Sequence, residues 1–287
     1  MPAPSLDNPL RFGVQSLMYA QELAAAGNAN DALAALERAV AQGCRYKKEW
    51  LAENPKLASL AGTPRFAELV KVASARYDEA AAAAKPHLTF LMPDRLPDAF
   101  GYPLLMVLHG NNSNAAETAP HWASMADQGW LVAIPQSTEI GASPDSYTWN
   151  DRERTATELD LQLERVGRAT QIDASRIVIA GFSMGGTQAI ALTLTKRIKA
   201  RGFLAVCAWL PHIREFPTLV EAGAGKMLRG YVLVGENDPS RAGAAALVDL
   251  FTKHKLKAQL DLRPGLGHDY PDDMPATLEK ALAFATS

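Results

Sequence analysis

Cysteine is nearly absent from this chain. Only Cys44 and Cys207 occur among 287 residues, so no disulfide framework is available and packing alone must hold the fold together. Cys44 lies in a helical region and Cys207 closes the apolar run 203–207, so both are expected as buried free thiols. An excess of either charge is also missing. With 29 basic against 31 acidic residues the net charge is -2, which leaves no basic field for a phosphate backbone and excludes nucleic acid as the main partner. No apolar run reaches the roughly 20 residues that a membrane-spanning helix needs. The first ten residues contain three prolines and no apolar core preceded by positive charge, so a secretory signal is not expected. These absences predict a soluble, cytoplasmic protein.

What is present is an apolar fraction of 48%, ample for a core, and a length that suits one catalytic-size unit plus a small appendage. The first 84 residues read as helical. Leu17, Tyr19, Ala20, Leu23 and Ala24 form one apolar stripe, and Leu33, Leu36, Ala39 and Val40 form the next, with the break at 27–30 and Asn30 as the expected N-cap of the second helix. The spacing resembles one tetratricopeptide-type repeat. A single repeat cannot bury its own face, so these helices are expected to pack on the rest of the chain, on a second subunit or on a protein partner.

A boundary is expected where Lys85-Pro86 ends the last helix. Beyond it, over 85–287, the texture changes. Strands are predicted at 87–91, 104–108, 131–134, 177–180, 203–207, 231–234 and 258–262, with helices at 115–128, 153–169, 185–199, 242–255 and 274–285. The alternation predicts an α/β domain with a mostly parallel sheet and helices on both faces. Reactive groups in such sheets gather beyond the carboxyl ends of the strands.

The stretch that carries chemistry is Gly181-Phe182-Ser183-Met184-Gly185, which follows the buried run 177–180 and opens a helix. This is the G-x-S-x-G pattern, in which a serine sits on a sharp strand-to-helix turn and flanking glycines relieve the crowding. The pentapeptide alone is a weak signal, but two later strand ends complete it. Asp238 follows the run 231–234, and His268 lies in a glycine-rich loop after the last strand. A serine hydroxyl needs a neutral imidazole to take its proton, and the imidazole needs a carboxylate to fix its tautomer. Ser183, His268 and Asp238 are the candidates for these roles, with Glu236 as a rival acid and Asp269 beside the histidine.

These motifs resemble the α/β-hydrolase fold, and most closely its bacterial esterases related to the phospholipase/carboxylesterase, feruloyl esterase and dienelactone hydrolase groups. The likeness covers about 85–287. It implies a serine hydrolase that cleaves a small-molecule carboxylic ester or thioester through an acyl-enzyme, without metal or organic cofactor. It also implies an oxyanion hole made by the backbone N–H of Met184 and that of Asn111, with Asn112 as the alternative, because Leu108-His109-Gly110 precedes them at an early strand end. A peptidase using the same triad, or a non-catalytic docking scaffold acting through the N-terminal helices, is the alternative. His109 is read as a loop-stabilising residue, and His121 and His212 as surface or loop residues. Trp149 and Trp209 are read as pocket walls or as ordinary core, and Asp151-Arg152-Glu153-Arg154 as a solvated helix start.

Overall fold

A computed structural model describes residues 2–211, 213–222 and 228–287; His212 lies outside the described residues. The chain divides into two compact units, one comprising Met1–Lys85 with Thr138–Thr148, the other Pro86–Ser137 with Trp149–Ser287.

The first unit is built on α1 (Pro9–Ala25), α2 (Ala29–Ala41), α3 (Lys48–Ala52), a 3-10 turn (Pro55–Leu60) and α4 (Pro64–Ala83). The Asn8 side chain caps α1 by accepting from the Arg11 N–H at 3.2 Å, and Thr63 caps α4 through the Phe66 N–H at 3.3 Å. Each satisfies an N–H that the helix itself leaves without an acceptor. Phe12, Ala20, Leu33, Leu36, Leu69 and Val70 are buried in one core, which Ala142 of the Thr138–Thr148 segment joins. That segment is tied in by its backbone: the Gly13 N–H donates to Ser143 Oγ at 2.8 Å and the Arg45 N–H to the Ala142 carbonyl at 2.8 Å. The second helix starts at Ala29 with Asn28 at its N-cap. Asn30, the expected cap, is therefore inside the helix; Gly27, at φ 84°, makes the turn earlier than the apolar stripe suggests.

The second unit is a seven-stranded sheet in the order β1-β3-β2-β4-β5-β6-β7. The strands are β1 (His87–Leu91), β2 (Tyr102–Leu108), β3 (Leu131–Gln136), β4 (Ile172–Phe182), β5 (Gly202–Val206), β6 (Arg229–Gly235) and β7 (Lys257–Arg263). Among the pairings of these described strands, only β1–β3 is antiparallel. Every residue of β2 is buried, as expected of a central strand covered on both faces. Its side chains alternate between two cores. Leu105 and Val107 pack with α5 (Ala115–Trp122), α6 (Ser124–Asp127) and α11 (Met274–Thr286), whereas Leu104, Met106 and Leu108 face α7 (Arg152–Ala169) and α8 (Met184–Leu194). Farther along the sheet, α8, α9 (Phe216–Glu221) and α10 (Arg241–Lys253) cover Phe203, Ala205, Val232 and Val234. The period-2 alternation of strand side chains thus divides one apolar sequence between two layers of helices. This is the α/β-hydrolase fold expected from the sequence.

The strand order reverses at β2. The chain leaves it first for β3 on one side and later reaches β4 on the other, and this places Leu108 opposite Gly181 in the register. The His109-Gly110 loop and the Ser183 turn therefore leave adjacent strand ends, at the switch point where open α/β sheets form their crevice.

Candidate active site

Ser183 stands between β4 and α8 with φ 53° and ψ -121°, a left-handed backbone that a residue with a Cβ adopts only under tertiary constraint. The constraint is visible in its hydrogen bonds. Its N–H donates to the Val206 carbonyl at 3.0 Å, while its own carbonyl accepts from the Thr187 N–H at 3.1 Å and the Trp209 N–H at 3.0 Å. The glycines on either side are needed for close approach. A Cβ on Gly181 would run into the backbone of Gly185, and one on Gly185 into the carbonyl oxygens of Leu108 and His109.

The three candidate residues from distant strands meet here. His268 Nε2 lies 2.9 Å from Ser183 Oγ, and His268 Nδ1 lies 2.8 Å from Asp238 Oδ2. The Asp238 side chain is fully buried, and that of His268 is about a quarter exposed. Oδ1 of Asp238 accepts from the Ser240 N–H at 2.6 Å, so both carboxylate oxygens are occupied and the group cannot rotate. With Nδ1–H donated to the carboxylate, the Nε2 lone pair faces the serine hydroxyl. Glu236 lies elsewhere: its Oε2 accepts from the Gly265 N–H at 3.0 Å, across the turn that leads to the histidine. Asp269 turns its own Oδ1 to the Tyr270 N–H at 2.8 Å.

Asn111 lies in the loop that follows β2, and Met184 follows Ser183 directly. Met184 is the first residue of α8, so its N–H has no intrahelical acceptor. Gly110 approaches closely enough that a Cβ there would lie 3.6 Å from Ser183 Cβ. The Asn111 side chain is engaged on both sides, its Oδ1 accepting from the Trp149 N–H at 2.8 Å and its Nδ2 donating to Asn150 Oδ1 at 2.7 Å. Asn112 takes a left-handed backbone, φ 57°.

His109 stays out of the reacting groups. It is buried, its Nε2 accepts from the Ser137 N–H at 3.3 Å, and its Nδ1 therefore carries the proton donated to the Gly110 carbonyl at 2.8 Å. Burial pushes its pKa down to about 4, and the ring is a neutral brace for its loop.

Several neighbours were not singled out as parts of the site by the sequence. The Cys207 thiol, buried next to Asp238, lies 3.3 Å from the Asp269 carbonyl; burial, more than the adjacent carboxylate, raises its pKa to about 12. His121 stacks on Tyr270 at 3.8 Å, Tyr270 on Phe182 at 4.5 Å, and Phe182 lies 5.1 Å from the His268 ring. Of the two tryptophans, Trp149 is core, whereas Trp209 is 41% exposed with its ring edge-on to His268 at 6.5 Å. Arg152 is not simply solvated: it pairs with Glu215 and donates to Gln188 Oε1 at 3.1 Å. Among the described residues no group of three or more His, Cys, Asp or Glu side chains is arranged to hold a metal ion, and no helix is long and apolar enough to cross a membrane.

Residues 150–285 match the phospholipase/carboxylesterase family. An 88-residue stretch is 33% identical to the bifunctional acetylxylan esterase/xylanase XynS20E of Neocallimastix patriciarum, covering 29% of this chain but only 12% of the length of that relative. Among solved structures, an uncharacterised protein from Bacillus cereus ATCC 10987 aligns over 96% of this chain and 88% of its own, with a TM-score of 0.61 and 26% identity. The ferulic acid esterase AmCE1/Fae1A from Anaeromyces mucronatus, solved with ferulic acid, aligns over 69% of this chain and 84% of its own, with a TM-score of 0.55 and 12% identity. The S-formylglutathione hydrolase FrmB from Staphylococcus aureus aligns over 70% and 90%, with a TM-score of 0.54 and 16% identity. In its fold, and over residues 150–285 in sequence, the chain is similar to carboxylesterase-like hydrolases.

Proposed function

We propose that the chain is a serine esterase acting on a small-molecule carboxylic ester or thioester, with Ser183 as nucleophile, His268 as base and Asp238 as the acid that orients it. The observation that carries this reading is the unbroken relay from Ser183 Oγ through the His268 ring to Asp238, with links of 2.9 and 2.8 Å. In the first step Ser183 Oγ attacks the carbonyl carbon as its proton passes to His268 Nε2. The imidazolium is stabilised by the buried Asp238 carboxylate. The oxyanion is received by the amides of Met184 and Asn111, each worth on the order of 3 kcal/mol in the barrier. Collapse of the intermediate breaks the ester bond, and His268 returns its proton to the departing oxygen or sulfur. Water, deprotonated by the same nitrogen, then frees the acid and restores Ser183. No step needs a cofactor.

The repeat-like spacing of the N-terminal helices is read as a docking element for a second subunit or a protein partner. The test of the hydrolytic reading is covalent capture with a fluorophosphonate probe, followed by peptide mapping. Labelling at Ser183 that Ser183→Ala abolishes is the expected result. A folded wild-type protein that takes no label and hydrolyses no p-nitrophenyl ester would overturn it.

A further inference from the structure

We propose that the side chains of Asn111 and Gln188, acting through the main chain of Trp149, are positioning residues that set the gap between the two amides receiving the oxyanion. This inference rests on the serine-esterase reading. One amide belongs to the loop after β2, the other to the first turn of α8, and no strand pairing joins that loop to that helix. Trp149 supplies the link. Its N–H donates to Asn111 Oδ1 at 2.8 Å, and its carbonyl accepts from Gln188 Nε2 at 2.7 Å. Gln188 lies one helical turn beyond Met184, so its side chain ties the Trp149 main chain to the helix that carries the second amide.

Each end of the bridge is held in one orientation. The Asn111 amide nitrogen donates to Asn150 Oδ1 at 2.7 Å, and Gln188 Oε1 accepts from Arg152 Nε at 3.1 Å while Glu215 grips the rest of the guanidinium. Neither carboxamide can turn round without setting donor against donor. The tryptophan itself is anchored: its indole is buried and packs against the His109 ring, tilted by 35° with centroids 4.8 Å apart. A bridge of this kind acts when negative charge develops on the oxygen. Cutting it should slow the chemical step and weaken tetrahedral adducts while ground-state binding is kept.

The test uses the full chain with p-nitrophenyl acetate as substrate and phenylboronic acid as a reversible tetrahedral adduct of the serine. Asn111→Ala retains the backbone amide but loses both side-chain bonds, and Gln188→Met keeps the length and loses the amide. Each is expected to lower kcat by about tenfold or more and to raise the boronic-acid Ki by a matching factor, with KM within about twofold. Because both changes cut one bridge, the double variant should lie within about threefold of the worse single variant. Asn150 is exposed, so Asn150→Ala tests the same bridge if Gln188→Met does not fold, and a smaller loss in kcat and Ki together is expected. Losses that multiply in the double variant, or a fall in Tm with kcat and Ki unchanged, would overturn the inference. Wild-type hydrolysis and fluorophosphonate labelling, measured alongside, report on the esterase reading separately.

Discussion

Replacing Asp238 by Asn keeps the shape of the side chain and turns one acceptor oxygen into a donor. Oδ1 of Asp238 accepts from the Ser240 N–H at 2.6 Å, and this bond survives only if the new amide keeps its oxygen there. The NH2 group then faces His268 Nδ1, where the carboxylate oxygen stood at 2.8 Å. An amide donor needs a bare Nδ1, so the ring proton moves to Nε2 and the serine hydroxyl loses its acceptor. Turning the amide round sets its NH2 against the Ser240 N–H in a fully buried position, which costs about 1 to 3 kcal/mol. The same exchange in Ser-His-Asp hydrolases lowers kcat about ten-thousandfold, equivalent to a barrier about 5 kcal/mol higher. A comparable fall is expected for Asp238→Asn in steady-state hydrolysis of p-nitrophenyl acetate, with Tm close to that of the parent. Glu236→Gln keeps an oxygen for the Gly265 N–H and should lose far less. If Asp238→Asn retained activity within about tenfold of the parent, or if Glu236→Gln lost as much, the tautomer argument would fail.

Two further predictions concern the surroundings of Ser183. Gly185→Ala forces a methyl group against the carbonyls of Leu108 and His109, so about 1 to 3 kcal/mol of stability should be lost in urea titration together with most hydrolysis; unchanged stability would mean that the turn is looser than the close contacts imply. His109 should make stability depend on pH. Its folded pKa of about 4 lies below the ordinary histidine value of 6.5, so the unfolded chain binds the proton first, and stability present above about pH 6.5 falls as pH drops toward 4, by about 3 kcal/mol at most. Urea unfolding of the parent and of His109→Gln at pH 7 and pH 4.5 measures this, and equal slopes for the two proteins would refute it.

Much of the second unit was legible because buried parallel strands announce themselves as short apolar runs. All seven predicted runs lie in or next to strands, and the G-x-S-x-G turn and the Asp238 and His268 loops follow three of them. What was not legible depends on partners far away in sequence. β4 begins at Ile172, five residues before its apolar run, because Ile172 pairs with Tyr102 through a polar stretch that hydropathy reads as loop. The helix expected over 115–128 divides at Ala123 into α5 and α6; Pro120 can donate no backbone hydrogen bond and weakens the turn that leads to the break. α9 is only six residues long, with Pro217 in its first turn, too short to show a period. Glu236 and Asp238 are indistinguishable as sequence neighbours, and only the fold turns one to Gly265 and the other to His268. Gln188 was the quietest signal, one amide inside the buried helix α8.

The segment Thr138–Thr148 belongs with the N-terminal helices although it is spelled out in the middle of the sheet region. No single cut therefore divides this polypeptide into its two bodies. A fragment beginning at Pro86 would keep these eleven residues but be deprived of Gly13, Arg45 and the helical core they complete. Excision work, linker insertion and limited proteolysis have to treat the chain as three crossings, after residues 85, 137 and 148, and a shortened enzyme should be built by replacing the internal segment as well as trimming the front.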